Sequence, residues 1–112
     1  MPIQNADYSI LNFDEMAAAI GLKPKYIPML IGSFLGESTN IINALELAID
    51  SNDFPTFKTN AHSIKGSAGN LRFTEIYEMS KDMELAASNS DTSFDYKGHF
   101  EAIKSAIETI PN

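Results

Sequence analysis

Apolar residues recur every three or four positions along most of the chain, which is the spacing of one face of an α-helix. The pattern is clearest at Phe54, Phe57, Ala61, Ile64, Ala68 and Leu71, at Ile76, Met79, Met83 and Ala86, and at Tyr96, Phe100, Ile103, Ile107 and Ile110. The alternation of apolar and polar residues that would indicate strands is not sustained anywhere. The sequence therefore predicts an all-α chain whose Met and Phe side chains lie in the core.

Capping residues and prolines divide this pattern into one short and four long helices. Asn12, with Glu15 three residues later, predicts a short first helix that ends at Gly21. The second helix is expected from near Pro28, because two prolines four residues apart cannot both lie deep inside one helix. The other helices are predicted to begin at Asp53, with Pro55 in the first turn, at Thr74, and after the polar loop 88–93. These elements predict an antiparallel four-helix bundle with a short extra N-terminal helix, formed by residues 1–112 as a single domain.

Length and composition exclude several classes of protein. A chain of 112 residues is about one domain long, and its apolar fraction of 44% is typical of a globular protein. The absence of cysteine excludes disulfides, thiolate zinc sites and cysteine nucleophiles. The longest apolar run, Met16–Ile20, is far shorter than the roughly 20 residues of a membrane span, and the N-terminus shows no signal-peptide pattern. We therefore expect a cytoplasmic protein that does not enter a membrane.

The charges are unevenly distributed along the chain. The net charge is −7, which argues against nucleic acid as a partner. Between residues 54 and 73, however, Lys58, Lys65 and Arg72 are accompanied by no acidic residue, whereas the remaining 92 residues hold 5 basic and 15 acidic ones. This basic segment contains His62. Chance clustering is the alternative explanation for a chain this short.

His62 lies one position past the apolar stripe of the third helix, so its ring is predicted to be accessible. Lys58 and Lys65 lie on the same helix face, one turn before it and one turn after it. Two ammonium groups suit an anion at the imidazole and favour its neutral, nucleophilic form. Since a neutral histidine is a competent covalent carrier, His62 is the candidate for carrying a phosphoryl group.

Gly66 and Gly69 are unusual on the same face, because a glycine inside a helix costs about 0.5–1 kcal/mol relative to alanine. A surface without side chains beside an exposed histidine lets another molecule approach. Two structural alternatives remain: Gly66 could let a neighbouring helix pack closely, and Gly69 could end the helix.

Glu84 is the candidate partner of the imidazole. If the third and fourth helices pair antiparallel about Phe73, residues whose numbers sum to about 146 lie at one height, which places Glu84 opposite His62 and Lys81 opposite Lys65. A carboxylate there could accept a hydrogen bond from Nδ1–H and leave Nε2 free to react. The alternative is an ordinary surface carboxylate.

Two segments resemble a known family. Residues 61–71 read AHSIKGSAGNL, which is similar to the signature of histidine-containing phosphotransfer (HPt) domains, His-x-Leu/Ile-Lys-Gly followed by small residues. Residues 83–87, MELAA, resemble the family's later helix, where a Glu or Gln near the histidine is common. One departure is Arg72, which stands where the family usually has glycine. We expect Asn70 to adopt the left-handed conformation of the turn instead.

The resemblance implies a four-helix bundle in which His62 takes a phosphoryl group from the aspartate of a response-regulator receiver domain and passes it to another. Lys65 would then stabilise the phosphoryl group, and Gly66 would clear space for the receiver. The expected partners are receiver domains and a sensor histidine kinase, and the expected state is a monomer. Mg²⁺ is expected only on the receiver. The docking face is predicted on the second and third helices, with an exposed Leu35 as a contact.

The sequence contains neither G-x-G-x-x-G nor G-x-x-x-x-G-K-[ST], so we expect no ATP binding, no autonomous kinase activity and no cofactor. Two alternatives stay open: the phosphoacceptor domain of a larger chemotaxis-type histidine kinase, and a bundle that only binds a partner. We interpret His99 as a boundary histidine without a catalytic part. No ligand spacing supports a metal site shared by His62 and His99.

Overall fold

A computed structural model describes residues 2–111 of the chain. The helices are α1 (Phe13–Ile20), α2 (Ile27–Ser51), α3 (Phe54–Asn70), α4 (Thr74–Ser88) and α5 (Tyr96–Glu108), with one turn of 3₁₀-helix at Pro24–Tyr26 before α2. No strand occurs within these residues, which confirms the all-α prediction. The four long helices form a bundle, and the molecule measures 42 × 23 × 20 Å along its principal axes. Over the same residues, no helix combines the length and the apolar character needed to cross a membrane.

Side-chain caps begin three of the helices. The Oδ1 atom of Asn12 accepts a hydrogen bond from the Glu15 amide at 3.0 Å, and the Oδ1 atom of Asp53 accepts one from the Thr56 amide at 3.2 Å. Asp95 caps α5 in the same way. These carboxylate and amide oxygens satisfy backbone N–H groups that have no partner inside their own helix. The starts predicted at Asn12 and Asp53 are therefore confirmed.

The turn between α3 and α4 differs from the prediction. Asn70 remains helical, and Arg72 adopts the left-handed conformation with φ 63°. The Phe73 amide donates to the Ala68 carbonyl at 2.9 Å, and the Arg72 amide donates to the Gly69 carbonyl at 3.2 Å. These two bonds form a Schellman motif, which requires the left-handed residue two positions after the last helical one. The expectation for Asn70 was therefore wrong.

The predicted apolar stripes form the core. The largest fully buried side chains include Phe57, Phe73, Ile27, Leu45, Ile64, Ile76, Met79, Met83 and Ile103. Leu35 is half-buried and packs against this core, so the prediction of an exposed Leu35 was wrong. Its apolar side chain gains more from the neighbouring helices than from water.

His99 is also placed differently from the prediction, because it is 1% exposed and lies inside the core rather than at its boundary. Its Nδ1–H donates to the Asp95 carbonyl at 2.8 Å, and its ring centroid lies 4.2 Å from that of Phe94. Aromatic packing and the local hydrogen bond bury the ring. No atom of His99 is available to solvent chemistry.

A segment before α1 closes one end of the bundle. The hydroxyl of Tyr8 donates to Oε1 of Glu75 at 2.7 Å and accepts from the amides of Glu75 and Ile76 at 3.1 and 3.3 Å. The Tyr8 amide donates to the Thr109 hydroxyl at 2.8 Å. Since Phe73, the residue before α4, provides no side-chain cap, Tyr8 caps α4 from a distant part of the sequence.

Candidate functional site

The imidazole of His62 projects into solvent from the middle of α3. Its side chain is 70% exposed, whereas Ala61, one residue before it, and Ile64, two residues after it, are buried in the core. The apolar face of α3 therefore packs against the core, and the ring projects from the other face of the helix. The predicted accessibility of the ring matches this placement.

Glu84 of α4 holds the imidazole in one orientation. Its Oε2 atom lies 2.8 Å from Nδ1 of His62. A carboxylate oxygen accepts the hydrogen bond, so Nδ1 carries the proton and, in the neutral ring, Nε2 keeps its lone pair. The bond thus selects the tautomer whose nucleophilic nitrogen faces away from Glu84.

Lys65 binds the other oxygen of the same carboxylate, with Nζ 2.5 Å from Oε1 of Glu84. The hydrogen bond from Lys65 is the main cause of a lowered pKa of Glu84; the His62 hydrogen bond lowers it further, and partial burial opposes both. Glu84 therefore stays ionised below its ordinary pKa of 4.5. Helix pairing alone predicts Lys65 opposite Lys81, but the ammonium group of Lys65 contacts Glu84.

The two glycines of α3 have different surroundings. A Cβ atom added at Gly66 would meet nothing within 4 Å, so no helix packs against this position. A Cβ atom at Gly69 would lie 3.1 Å from Cδ1 of Tyr77 on α4. Gly66 therefore leaves open surface beside His62, whereas Gly69 makes room for a side chain of this same chain. That packing favours a structural role for Gly69 over the partner access proposed for it.

Sequence reasoning missed two contacts of the site. The Ser67 hydroxyl donates to Oε1 of Glu37 at 3.0 Å and links α3 to α2 beside Gly66. The bond from Lys65 to Glu84 was also missed. The sequence signal for this contact is that Lys65 lies one turn from His62 on the same face, within reach of a carboxylate that contacts the ring.

Within residues 2–111, no group of three or more potential metal ligands occurs.

The Hpt domain family model matches residues 29–111. The chain belongs to the Hpt domain family. Members of this family are phosphocarriers that take part in phosphorelays and interact with receiver domains. The matched residues include His62, Lys65 and Glu84 and leave Tyr8 and α1 outside. No significant match was found among curated proteins or among solved structures.

If His62 is the phosphoacceptor, replacing Glu84 with alanine is expected to slow its phosphorylation about tenfold, by analogy with the hydrogen-bonded partners of metal-bound histidines, whose loss costs about 10–100-fold. The variant also frees Nδ1, so ¹⁵N NMR should show a mixture of tautomers in place of the Nδ1–H form. Asp82→Ala, which removes an exposed carboxylate from the same helix, is the matched control. An unchanged rate in Glu84→Ala would remove Glu84 from the site.

Proposed function

We propose that this Hpt domain is a phosphocarrier that accepts a phosphoryl group on Nε2 of His62 from the aspartyl phosphate of a receiver domain and passes it to a second receiver. The observation that carries the proposal is the 2.8 Å contact between Nδ1 of His62 and Glu84 on a ring that is 70% exposed. A histidine that served only the core would be buried, and the hydrogen bond to Glu84 leaves Nε2 as the ring nitrogen with a free lone pair.

In the transfer step, Nε2 of His62 is the nucleophile. The lone pair of Nε2 attacks phosphorus, the P–O bond to the aspartate breaks, and the aspartate carboxylate leaves with the bonding electron pair. The Nδ1 proton stays on the ring, where the Glu84 carboxylate stabilises the positive charge that the imidazole gains. The reverse step passes the phosphoryl group to the next aspartate. In this proposal the receiver brings the Mg²⁺, and the Hpt domain uses neither ATP nor a cofactor.

The surface around His62 suits the close approach of a second protein. Gly66 and Ser63 are exposed on α3 near the ring, and Ser33 and Gly36 are exposed on the part of α2 that lies beside the C-terminal end of α3. The small side chains of Ser63 and Gly66 add little bulk beside the ring. In-line transfer requires the phosphorus within about 3–3.5 Å of Nε2, which a bare surface permits. We place the receiver on this face of α2 and α3.

The test incubates the protein with isolated receiver domains that carry labelled aspartyl phosphate, and separately with ATP and a histidine-kinase core. The expected result is transfer from receivers to a label that is labile in acid and stable in base, the behaviour of a phosphoramidate. Labelling by the ATP-dependent core and by no receiver would favour the phosphoacceptor domain of a larger kinase. No labelling from either source would leave only a binding role.

The substitution Gly66→Ala is expected to make the fold more stable and to weaken phosphoryl transfer. The variant should raise the free energy of unfolding by about 0.5–1 kcal/mol, because alanine is the better helix former and the added Cβ meets nothing within 4 Å. The same methyl group lies under the docked receiver, so KM for transfer should rise severalfold. Chemical denaturation and steady-state transfer measure the two effects. Gly32→Ala, also in open helix surface, should match the gain in stability. An unchanged KM would contradict the docking face.

A further inference from the structure

The two lysines that flank His62 differ in their contacts. Lys65 is bound to Glu84 and its side chain is only 26% exposed. Lys58 is exposed, and its ammonium group makes no ion pair or hydrogen bond with any residue between 2 and 111. Of the two ammonium groups, the one on Lys58 is therefore available to an incoming anion without breaking a contact.

The two lysines also line different clefts. The cleft beside the imidazole, of about 520 Å³, is lined by Pro55, Lys58, Thr59, His62, Ser63 and Glu84. Lys65 instead lines a neighbouring cleft with Gly66, Gly69 and Tyr77. Lys58 lies one helical turn before His62, so both side chains project from the same face of α3 into the first cleft.

We propose that Lys58 is the ammonium group that contacts the phosphoryl group on His62, whereas Lys65 is a positioning residue that holds Glu84. The assignment rests on the proposed function, since it concerns the phosphorylated form of His62. It reverses the role that the family signature implies for Lys65. The physical reason is competition: to serve the phosphoryl group, the Lys65 ammonium group must share or give up the carboxylate that it already neutralises. Lys58 has no such contact to lose.

The assignment is tested without any partner protein. Phosphoramidate donates the phosphoryl group: Nε2 attacks phosphorus, the P–N bond breaks and ammonia leaves. The phosphorylated protein is then titrated between about pH 5.5 and 9 and followed by ³¹P NMR. An ammonium group in contact favours the doubly charged phosphoryl group, so losing that contact shifts its protonation to higher pH.

Lys58→Gln is expected to raise the midpoint of the phosphorus titration by about 0.5 pH units, the size expected of one exposed ion pair. Lys65→Gln should leave the midpoint within about 0.1 pH units of the wild type. In the unphosphorylated protein it should instead disorder the imidazole, seen as a mixture of tautomers by ¹⁵N NMR. Lys104→Gln, on the α2–α5 side of the bundle, is the matched control and should change neither signal. An equal or larger midpoint shift in Lys65→Gln, or no shift in Lys58→Gln, would overturn the assignment.

The experiments distinguish a failure of the Lys58 assignment from a failure of the proposed relay function. If phosphoramidate labels His62 but no receiver does, the proposed function fails while the roles of the two lysines are still measured. If receivers label His62 and Lys58→Gln gives the midpoint of the wild type, the proposed function stands and the assignment of Lys58 fails.

Discussion

Protein carrying His62→Gln is expected to accept no phosphoryl group from a phosphorylated receiver under conditions in which the wild type is fully labelled. Glutamine can still donate a hydrogen bond to Glu84, but an amide has no nucleophilic lone pair comparable to that of Nε2. The expected effect is the complete loss of transfer. Labelled receiver, electrophoresis and mass spectrometry of the variant beside the wild type measure it.

Folding is not expected to explain this loss. The His62 side chain is 70% exposed, and surface substitutions usually change stability by less than about 0.5 kcal/mol. Circular dichroism and denaturation of the variant check this point. His99, the other histidine, is 1% exposed and should not be labelled in either protein. Acid-labile label on the His62→Gln variant would refute His62 as the acceptor.

Tyr8→Ala is expected to lower the free energy of unfolding by about 3–5 kcal/mol, the range for deleting a buried aromatic ring. Tyr8 is 8% exposed and its ring lies 4.7 Å from that of Phe73. The substitution also uncaps α4 by removing the acceptor of the Glu75 and Ile76 amides. Urea denaturation measures the change in stability.

Tyr8→Phe separates the cap from the packing. It keeps the ring and removes only the hydroxyl, so the loss should be about 1–2 kcal/mol, the cost of leaving buried amide groups without a partner. Tyr26→Phe, at an exposed tyrosine, is the matched control and should be neutral. Equal losses in Tyr8→Phe and Tyr26→Phe would contradict the capping role. Neither Tyr8 variant should slow labelling of His62 by phosphoramidate while the protein is folded.

The same hydroxyl predicts an alkaline loss of stability. Burial, together with the hydrogen bond to Glu75, raises the pKa of Tyr8 well above its usual value of 10.0. A raised pKa means that the folded state prefers the protonated phenol, so its contribution is complete below about pH 10 and is lost as the pH rises further. Burial also raises the pKa of Tyr96. Tyr8→Phe should therefore reduce the alkaline slope without removing it.

The helices could be predicted from the sequence because their causes are local. The three- and four-residue spacing selects the face that is buried, and Asn12 and Asp53 satisfy amides only three residues away. The position of His62 one residue past this face follows from the same periodicity. The pairing of His62 with Glu84 needed one further assumption, that two helices joined by a short turn run antiparallel, and the geometry agrees with it.

The errors have non-local causes. The partner of Lys65 depends on where a long flexible side chain finds a carboxylate, which helix heights do not specify. Arg72 takes the left-handed position because the two Schellman bonds fix the register of the turn, although asparagine adopts that conformation more readily. His99 is buried because Phe94 packs on it from a loop.

The sequence by itself determined five helices, their faces and one histidine beside the core, because hydrophobic periodicity and capping act over a few residues. Only the tertiary structure decided which lysine stays unpaired, which glycine is open and how Tyr8 caps α4. Those features depend on contacts between residues far apart in the chain, such as Tyr8 with Glu75, whose distances no local pattern encodes.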